Sequence, residues 1–449
     1  MFRTITAPFS RFVERWMPAP LVFAVALTII VFVFAWIATP SGPVELVSSW
    51  GDGLAGLLAF TTQMCLILLL GHALANTRPI RRALVAAASL PRTPYQAYAF
   101  VTFMACAASM LTWGLGLVIG GLLAREVAIQ AQKKGFAIHF PLLVAGAYTS
   151  MSVWSMGYSS SAALAVATPD SFIMETLGSV IPVTETLLQP WNLIGMVVAV
   201  AALTFIMPTL APKDPSAIRA LPRDLELGTD EPAVDMYEEE NSPAARIDRS
   251  RVVPLFLGLL TVAYIVWYFA TNGFALTLDI VNWTFLAALL LLSTSTNELG
   301  ALVKDAASNV GDILVQFPLY AGIMGMITMS GLGSMISGWF VDISTPMTFG
   351  VLAFISAALL NIAIPSAGGQ FAIQGPIMID SAQQLGVDPA VATMALAYGD
   401  GITNMVQPLF ALPLLAIAGC RLRDVVGFTG ASMLISGPIL FVVIFVAGL

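Results

Sequence analysis

The chain has 449 residues, 58% of them hydrophobic and only 10% charged, with a formal net charge of −7. Soluble domains carry about 25% charged residues, so this composition excludes a water-soluble globule and points to a polytopic membrane protein. The small acidic excess sits mostly in loops, and no nucleic-acid partner is expected from it.

A bilayer crossing needs ~20 apolar residues. Crossings are expected near 18–39, 54–75, 141–168, 191–211, 252–271, 279–295, 313–335, 388–418 and 428–448. The first apolar run is longer than the ~7–15-residue core of a cleaved signal peptide, so it is read as a span. Two further segments, about 94–130 and 344–385, are read as re-entrant hairpins that enter and leave on one side. The run 141–168 is rich in Ser, Thr and Gly from Thr149 to Ser161. The run 388–418 is interrupted by Gly399-Asp400-Gly401 and by Pro408 and Pro413. Both are expected to be discontinuous helices, because irregular backbone at membrane depth survives only beside protein or a water-filled cavity. Between the halves, 212–251 is strongly polar, with Pro212, Pro215, Pro222, Pro232, Pro243 and an acidic cluster at Asp235 and Glu238-Glu239-Glu240. It reads as a tether, with a regulatory binding role as the alternative.

With this crossing count and a cytoplasmic N-terminus, all 19 basic residues fall on one side, from Arg3 through Arg78, Arg125, Lys213 and Lys304 to Arg423. That is the bias expected of cytoplasmic loops. The C-terminus then lies outside, in the periplasm. Residues 1–211 and 252–449 read as two copies of one unit, because Trp113-Gly114-Leu115-Gly116 followed by Ala145-Gly146-Ala147-Tyr148 is echoed by Pro365-Ser366-Ala367-Gly368 followed by Ala395-Leu396-Ala397-Tyr398. The extra crossing at 252–271 starts the second copy from the opposite face. The expected fold is therefore all-α, with two inverted-topology repeats that each carry a re-entrant hairpin and a discontinuous helix. In carriers built this way, binding lies near the midplane at the paired interruptions.

The tips carry the candidate substrate residues. Pro365 lacks an N–H, and Gly368 and Gly369 permit positive φ, so the second tip can turn sharply and point backbone N–H groups inward. The helix that follows would present its positive end to an anion. Asn361, Ser366 and Gln370 add side-chain donors. Thr112, Gly114 and Gly116 would play the matching part at the first tip, with Trp113 as an apolar wall, although Gly116 equally fits close helix packing. Tyr148 and Ser150 extend this surface onto the first discontinuous helix. Asp400 is the one acid placed deep in a crossing, where a charge costs ~2.5–3.5 kcal/mol and usually serves a function. With Gly399, Thr403 and Asn404 it forms a candidate coupling-ion site, taking Na⁺ at Asp400 and Asn404 or a proton on the carboxylate. No Lys or Arg falls in an expected membrane core, which suits one small carboxylate better than a dianion. No other cofactor is expected. Cys65, Cys106 and Cys420 lie in apolar surroundings, and His72 and His139 lie at expected cytoplasmic ends without metal-ligand neighbours. An enzyme is not expected, since Ser150 or Ser366 as a nucleophile would need a base and neither histidine sits in an expected core segment.

The segments 361–370, Gly399-Asp400-Gly401-Ile402-Thr403-Asn404, Trp113-Gly114-Leu115-Gly116 and the opening Phe9-Ser10-Arg11-Phe12-Val13-Glu14-Arg15-Trp16-Met17-Pro18 resemble the bacterial short-chain fatty acid transporter family. The resemblance spans most of the chain apart from the linker. It implies uptake of acetoacetate, butyrate or similar monocarboxylates across the bacterial inner membrane. The wider ion transporter superfamily implies elevator-type movement, commonly in a homodimer. The tip and Gly-Asp-Gly patterns are shared more loosely with C4-dicarboxylate carriers, so a dicarboxylate or amino-acid carrier is the same-class alternative, and an anion channel the different-class one.

Overall fold

The structure is a computed structural model that describes residues 20–221 and 242–449, apart from 363 and 365. The opening 9–18, Pro365 and most of the linker lie outside the described residues. Among those described there is no strand. The helices of the first half are α1 (Pro20–Ala38), α2 (Pro43–Gly53), α3 (Leu58–Ala75), α4 (Arg78–Ala88), α5 (Pro94–Leu111), α6 (Trp113–Lys133), α7 (Phe140–Tyr148), α8 (Ser161–Ala167), α9 (Met174–Leu177) and α10 (Pro190–Ile206). After α11 (Pro243–Asp248) come α12 (Val252–Asn272), α13 (Leu278–Leu292), α14 (Thr296–Ala307), α15 (Gly311–Met329) and α16 (Leu332–Ile343). The chain ends with α17 (Pro346–Asn361), α18 (Ala367–Leu385), α19 (Pro389–Thr403), α20 (Pro408–Ala418) and α21 (Leu422–Ala447).

Seven of the described helices are long and apolar enough to cross a membrane. Proline stands in the first turn of α2, α4, α5, α7, α10, α17 and α19, where its missing N–H has no intrahelical partner to lose. Side-chain caps from Thr93, Thr277, Ser295 and Thr345 satisfy first-turn donors of α5, α13, α14 and α17. Helices α1 and α12 bury only 17% and 11% of their apolar spans. Exposed apolar surface on that scale is matched by lipid rather than water.

One succession of elements occurs twice: a span, a short amphipathic helix (α4; α16), a helical hairpin (α5–α6; α17–α18), an interrupted helix (α7–α8; α19–α20) and a closing span (α10; α21). The first hairpin turns on Thr112 alone, whose φ of −158° and ψ of 141° are extended. A Cβ on Gly116 would stand 2.0 Å from Ser109 Oγ, and one on Gly120 would stand 3.3 Å from Ala105 Cβ. That pairing makes α5 and α6 antiparallel at close range. In the second hairpin, Gln370 Nε2 donates to Ala357 O (2.8 Å) and Gln374 Nε2 to Ser356 Oγ (2.9 Å), again an antiparallel match.

Both discontinuous helices are interrupted, and in the second the break falls just before Pro408, one of the expected positions, and not at the glycines. Gly399-Asp400-Gly401 lies inside α19, and the chain leaves the α-helix at Asn404–Gln407. The glycines serve close approach instead: a Cβ on Gly399 would meet Phe354 O at 2.3 Å, and one on Gly401 would meet Ser155 Oγ at 3.2 Å. The expected crossing at 313–335 also divides, because Gly331 takes φ +77° and starts α16. The start of the linker is fastened down. Phe140 N donates to Arg219 O (2.8 Å), Arg219 N donates to His139 Nδ1 (3.1 Å), and the Arg219 guanidinium pairs with Asp424.

Close glycine packing predicts opposite outcomes for two substitutions. Gly116→Val should lower the thermal unfolding midpoint of the detergent-solubilised protein, because overpacking costs about 1–3 kcal/mol. Gly338→Ala, in α16 with nothing within 4 Å of its Cβ position, should raise it by up to ~1 kcal/mol of helix propensity.

Candidate functional site

A cavity of about 530 Å³ opens between the two hairpin tips and helices α3 and α15. Trp113 and Gly114 at the start of α6 line one wall, and Ser366, Ala367 and Gly368 at the start of α18 line another. Met64, Leu68, Met151, Trp154 and Phe317 supply apolar surface, while His72, Asn309 and Asp312 stand on the polar part. Thr112 makes no side-chain cap to α6. Ser366 Oγ accepts from Gly369 N at 3.3 Å, so it caps the third residue of α18 and not the first two. The first N–H groups of a helix have no intrahelical acceptor and carry about half a positive charge between them. Two such ends face one cavity whose lining, among the described residues, holds no Lys or Arg.

A smaller enclosed cavity, with room for a single water or a bare ion, adjoins the first and shares Trp154, Ser161 and Ala367 with it. Ser155, Ser160, Gln370, Phe371 and Asp400 complete much of its wall. Asp400 is 2% exposed. Neither of its carboxylate oxygens makes a well-formed hydrogen bond, and the Asn404 amide, one turn on, is its neighbouring donor. Gln370 Oε1, Ser155 Oγ and Ser160 Oγ are likewise buried without a hydrogen-bond partner among the described residues. These are hard oxygens of the kind that suit Na⁺, gathered from both halves of the chain.

Around these cavities the interruptions are tied together. Asn361 Nδ2 is shared among Asp400 O, Thr403 Oγ1 and Asn404 Oδ1, each at 2.9 Å. Gln407 Nε2 donates to Asn361 O (2.8 Å) and reaches Ile362 O at 3.2 Å. Tyr148 OH crosses from the first half to Asn404 O (2.8 Å), with Gln407 O at 3.1 Å. At the first tip, Tyr158 N donates to Met110 O (2.7 Å), joining the break after α7 to the end of α5.

The expected site residues divide by location. Trp113, Gly114, Ser366 and Gly368 line the large cavity; Gln370 and Asp400 line the small one. Thr112 forms the first tip itself. Gly116 packs on Ser109, and Gly369 packs on the Tyr320 ring, where a Cβ would stand 2.5 Å from Cδ2. Gly368 and Gly369 both sit in the first turn of α18, and neither has positive φ, so the reason for glycine there is the approach of Phe317, Phe60 and Tyr320. Tyr148, Asn361, Thr403 and Asn404 belong to the network that holds the tip, while Ser150 is buried in the 3₁₀ turn away from both cavities. Gly399 packs on α17. Gln407 and Asn192 were not expected from the sequence. A polar amide inside an apolar run, as in Trp191-Asn192-Leu193, is the one local signal they offered.

Comparison with known proteins places this geometry. Residues 1–447 match the family model described as short chain fatty acid transporter. A relative in Escherichia coli (strain K12), named for the same family, is 40% identical over 449 residues, covering 100% of this chain and 99% of that one. Another in Haemophilus influenzae, with the same family name, is 37% identical over 98% of this chain and 99% of its own. Among solved structures, that of the Alcanivorax borkumensis YdaH transporter aligns with a TM-score of 0.60 at 16% identity, over 96% of this chain and 98% of that chain. At that identity the likeness is one of fold alone.

Removing the amide that binds the second tip to the break should loosen both. Asn361→Ala is expected to cost about 1–3 kcal/mol, the usual penalty for orphaning buried partners. Thermal unfolding of the purified protein reads this directly.

Proposed function

The chain belongs to the short-chain fatty acid transporter family, and from that premise we propose a secondary carrier for short-chain carboxylate anions of the acetoacetate and butyrate class. The observation that carries this reading is the convergence of two helix N-termini, at Trp113–Gly114 and Ala367–Gly368, on one cavity free of lysine and arginine. A carboxylate there is held by backbone N–H dipoles and hydroxyls. Without a fixed cation, a second negative charge on the substrate goes uncompensated, which favours monocarboxylates over C4-dicarboxylates. Trp113, Met151, Trp154 and Phe317 offer walls for a short aliphatic tail.

The small cavity beside Asp400 holds the coupling ion, either Na⁺ among the oxygens of Asp400, Gln370, Ser155 and Ser160, or a proton on the carboxylate. Because this cavity shares Trp154, Ser161 and Ala367 with the large one, an ion in it sets the tip on which the substrate rests. Binding of either ligand therefore favours the other, which is the linkage a symporter needs. In this reading the two repeats are inverted in the bilayer, and the hairpins and interrupted helices travel together as an elevator against α1–α3 and α12–α15. The protein works as a homodimer in the bacterial inner membrane, with its N-terminus in the cytoplasm and its C-terminus in the periplasm. The hydrogen bonds from the second tip to α19 and the break, set against its apolar contacts with Phe60 and Phe317, support that division.

The test is uptake of labelled butyrate into proteoliposomes with Na⁺ and pH gradients varied separately. Saturable uptake with counterflow is expected. Linear, non-saturating flux would identify a channel, and competition by succinate at comparable concentration would identify a dicarboxylate carrier. Asp400→Asn should abolish gradient-driven accumulation while the protein stays folded in the membrane; normal accumulation by this variant rejects the ion role. Gly368→Leu should raise the half-saturating butyrate concentration about tenfold, equivalent to roughly 1.4 kcal/mol. An unchanged value would remove the tip from the binding site.

A further inference from the structure

The two interrupted helices carry a tyrosine at matching places, Tyr148 in Ala145-Gly146-Ala147-Tyr148 and Tyr398 in Ala395-Leu396-Ala397-Tyr398. Both are fully buried. Tyr148 reaches the break in the other helix directly, donating to Asn404 O. By the same pattern Tyr398 would reach the break after α7, but its hydroxyl stops short and donates to Asn192 Oδ1. Asn192, the third residue of α10, completes the link: its Nδ2 donates to Met156 O at 3.1 Å and to Leu187 O at 2.7 Å. The amide's orientation follows from its partners. Two carbonyls can only accept, so they face Nδ2, and the phenol donates to Oδ1. Both amide hydrogens and one acceptor site of Oδ1 are engaged, and Asn192 is 0% exposed.

What Asn192 holds matters for the ion cavity. Met156 O closes the 3₁₀ turn Trp154–Met156 that also presents Ser155 Oγ to the small cavity. Tyr398 stands two residues before Asp400, so the two side chains leave α19 on nearly opposite faces. Anchoring the Tyr398 hydroxyl therefore fixes the rotation of α19 about its axis, and with it the direction of the Asp400 carboxylate. One amide thus sets two walls of one cavity, an acid from the second half and a hydroxyl from the first.

We propose that Asn192 is a positioning residue for the coupling ion, acting through Tyr398 on Asp400 and through Met156 on Ser155. This rests on the reading of the small cavity as the ion site. Neither Asn192 nor Tyr398 lines that cavity, so their effect is on its geometry and not on its ligand set. The experiment measures labelled butyrate uptake into proteoliposomes holding the full chain. Na⁺ and pH are titrated separately for Asn192→Ala, Tyr398→Phe, the double variant and Asp400→Asn. For whichever ion drives uptake, Asn192→Ala and Tyr398→Phe should raise its half-saturating concentration about tenfold, as loss of a ligand-orienting neighbour does. The butyrate KM at saturating ion should be unchanged, and the double variant no worse than the worse single one. Tyr398→Phe deletes one hydroxyl and keeps the ring, so it decides the matter even where Asn192→Ala fails to fold. A fall in maximal rate without a shift in ion dependence overturns the proposal and leaves only a packing brace. If Asp400→Asn keeps wild-type ion dependence, the ion-site reading falls and takes the positioning role with it. If Asp400→Asn loses coupling while the other variants behave as wild type, the positioning role alone is lost.

Discussion

A helix interrupted at membrane depth exposes backbone N–H and C=O groups that no water in the hydrocarbon can satisfy, and each one left unpaired costs several kcal/mol. That constraint organises this molecule. The carbonyls of Asn404 and Met156 are answered by Tyr148 and Asn192, those of Asn361 and Ile362 by Gln407, and that of Met110 by Tyr158 N. Every donor comes from another part of the chain. Most of these bonds tie a break to its own half, and the one from Tyr148 to Asn404 joins the two halves.

Buried polar atoms without a partner among the described residues occur in several parts of the fold, and one group of them lines the small cavity. Asp400, Gln370 Oε1, Ser155 Oγ and Ser160 Oγ sit together, buried and without protein partners among the described residues. Buried polar clusters of this kind are where proteins reserve capacity for a ligand. Asn361 and Gln407 commit their amide nitrogens to the break, while Asn361 Oδ1 and Gln407 Oε1 are without partners among the described residues.

The apolar spans and the two helical hairpins were legible in the sequence because each follows from local composition: apolar runs of membrane length, and small polar residues where lipid-facing sequence should be apolar. The expected break at Gly-Asp-Gly is absent, because that triplet only looks like a helix breaker. A glycine costs a helix only about 1 kcal/mol, and here Gly399 and Gly401 recover that through close contact with Phe354 and the Ser152–Ser155 turn. The expected break at Pro408 is present, since the residue before a proline avoids the α conformation, and Gln407 is extended at φ −83° and ψ 120°. The partnership of Asp400 with Ser155 and Gln370 could not be read, because it joins side chains remote in sequence that only the crossing of two interrupted helices brings together.

The second hairpin tip is gripped differently on its two sides. Toward α19 and the break it is held by directional bonds from Asn361 and Gln407. Toward α3 and α15 its glycines rest on the ring carbons of Phe60, Phe317 and Tyr320. Ring-to-backbone contact has no preferred register and loses little when surfaces slip by an ångström or two, whereas a hydrogen bond displaced that far is broken. One side is glued and the other greased, so under load the seam that parts first is the aromatic one.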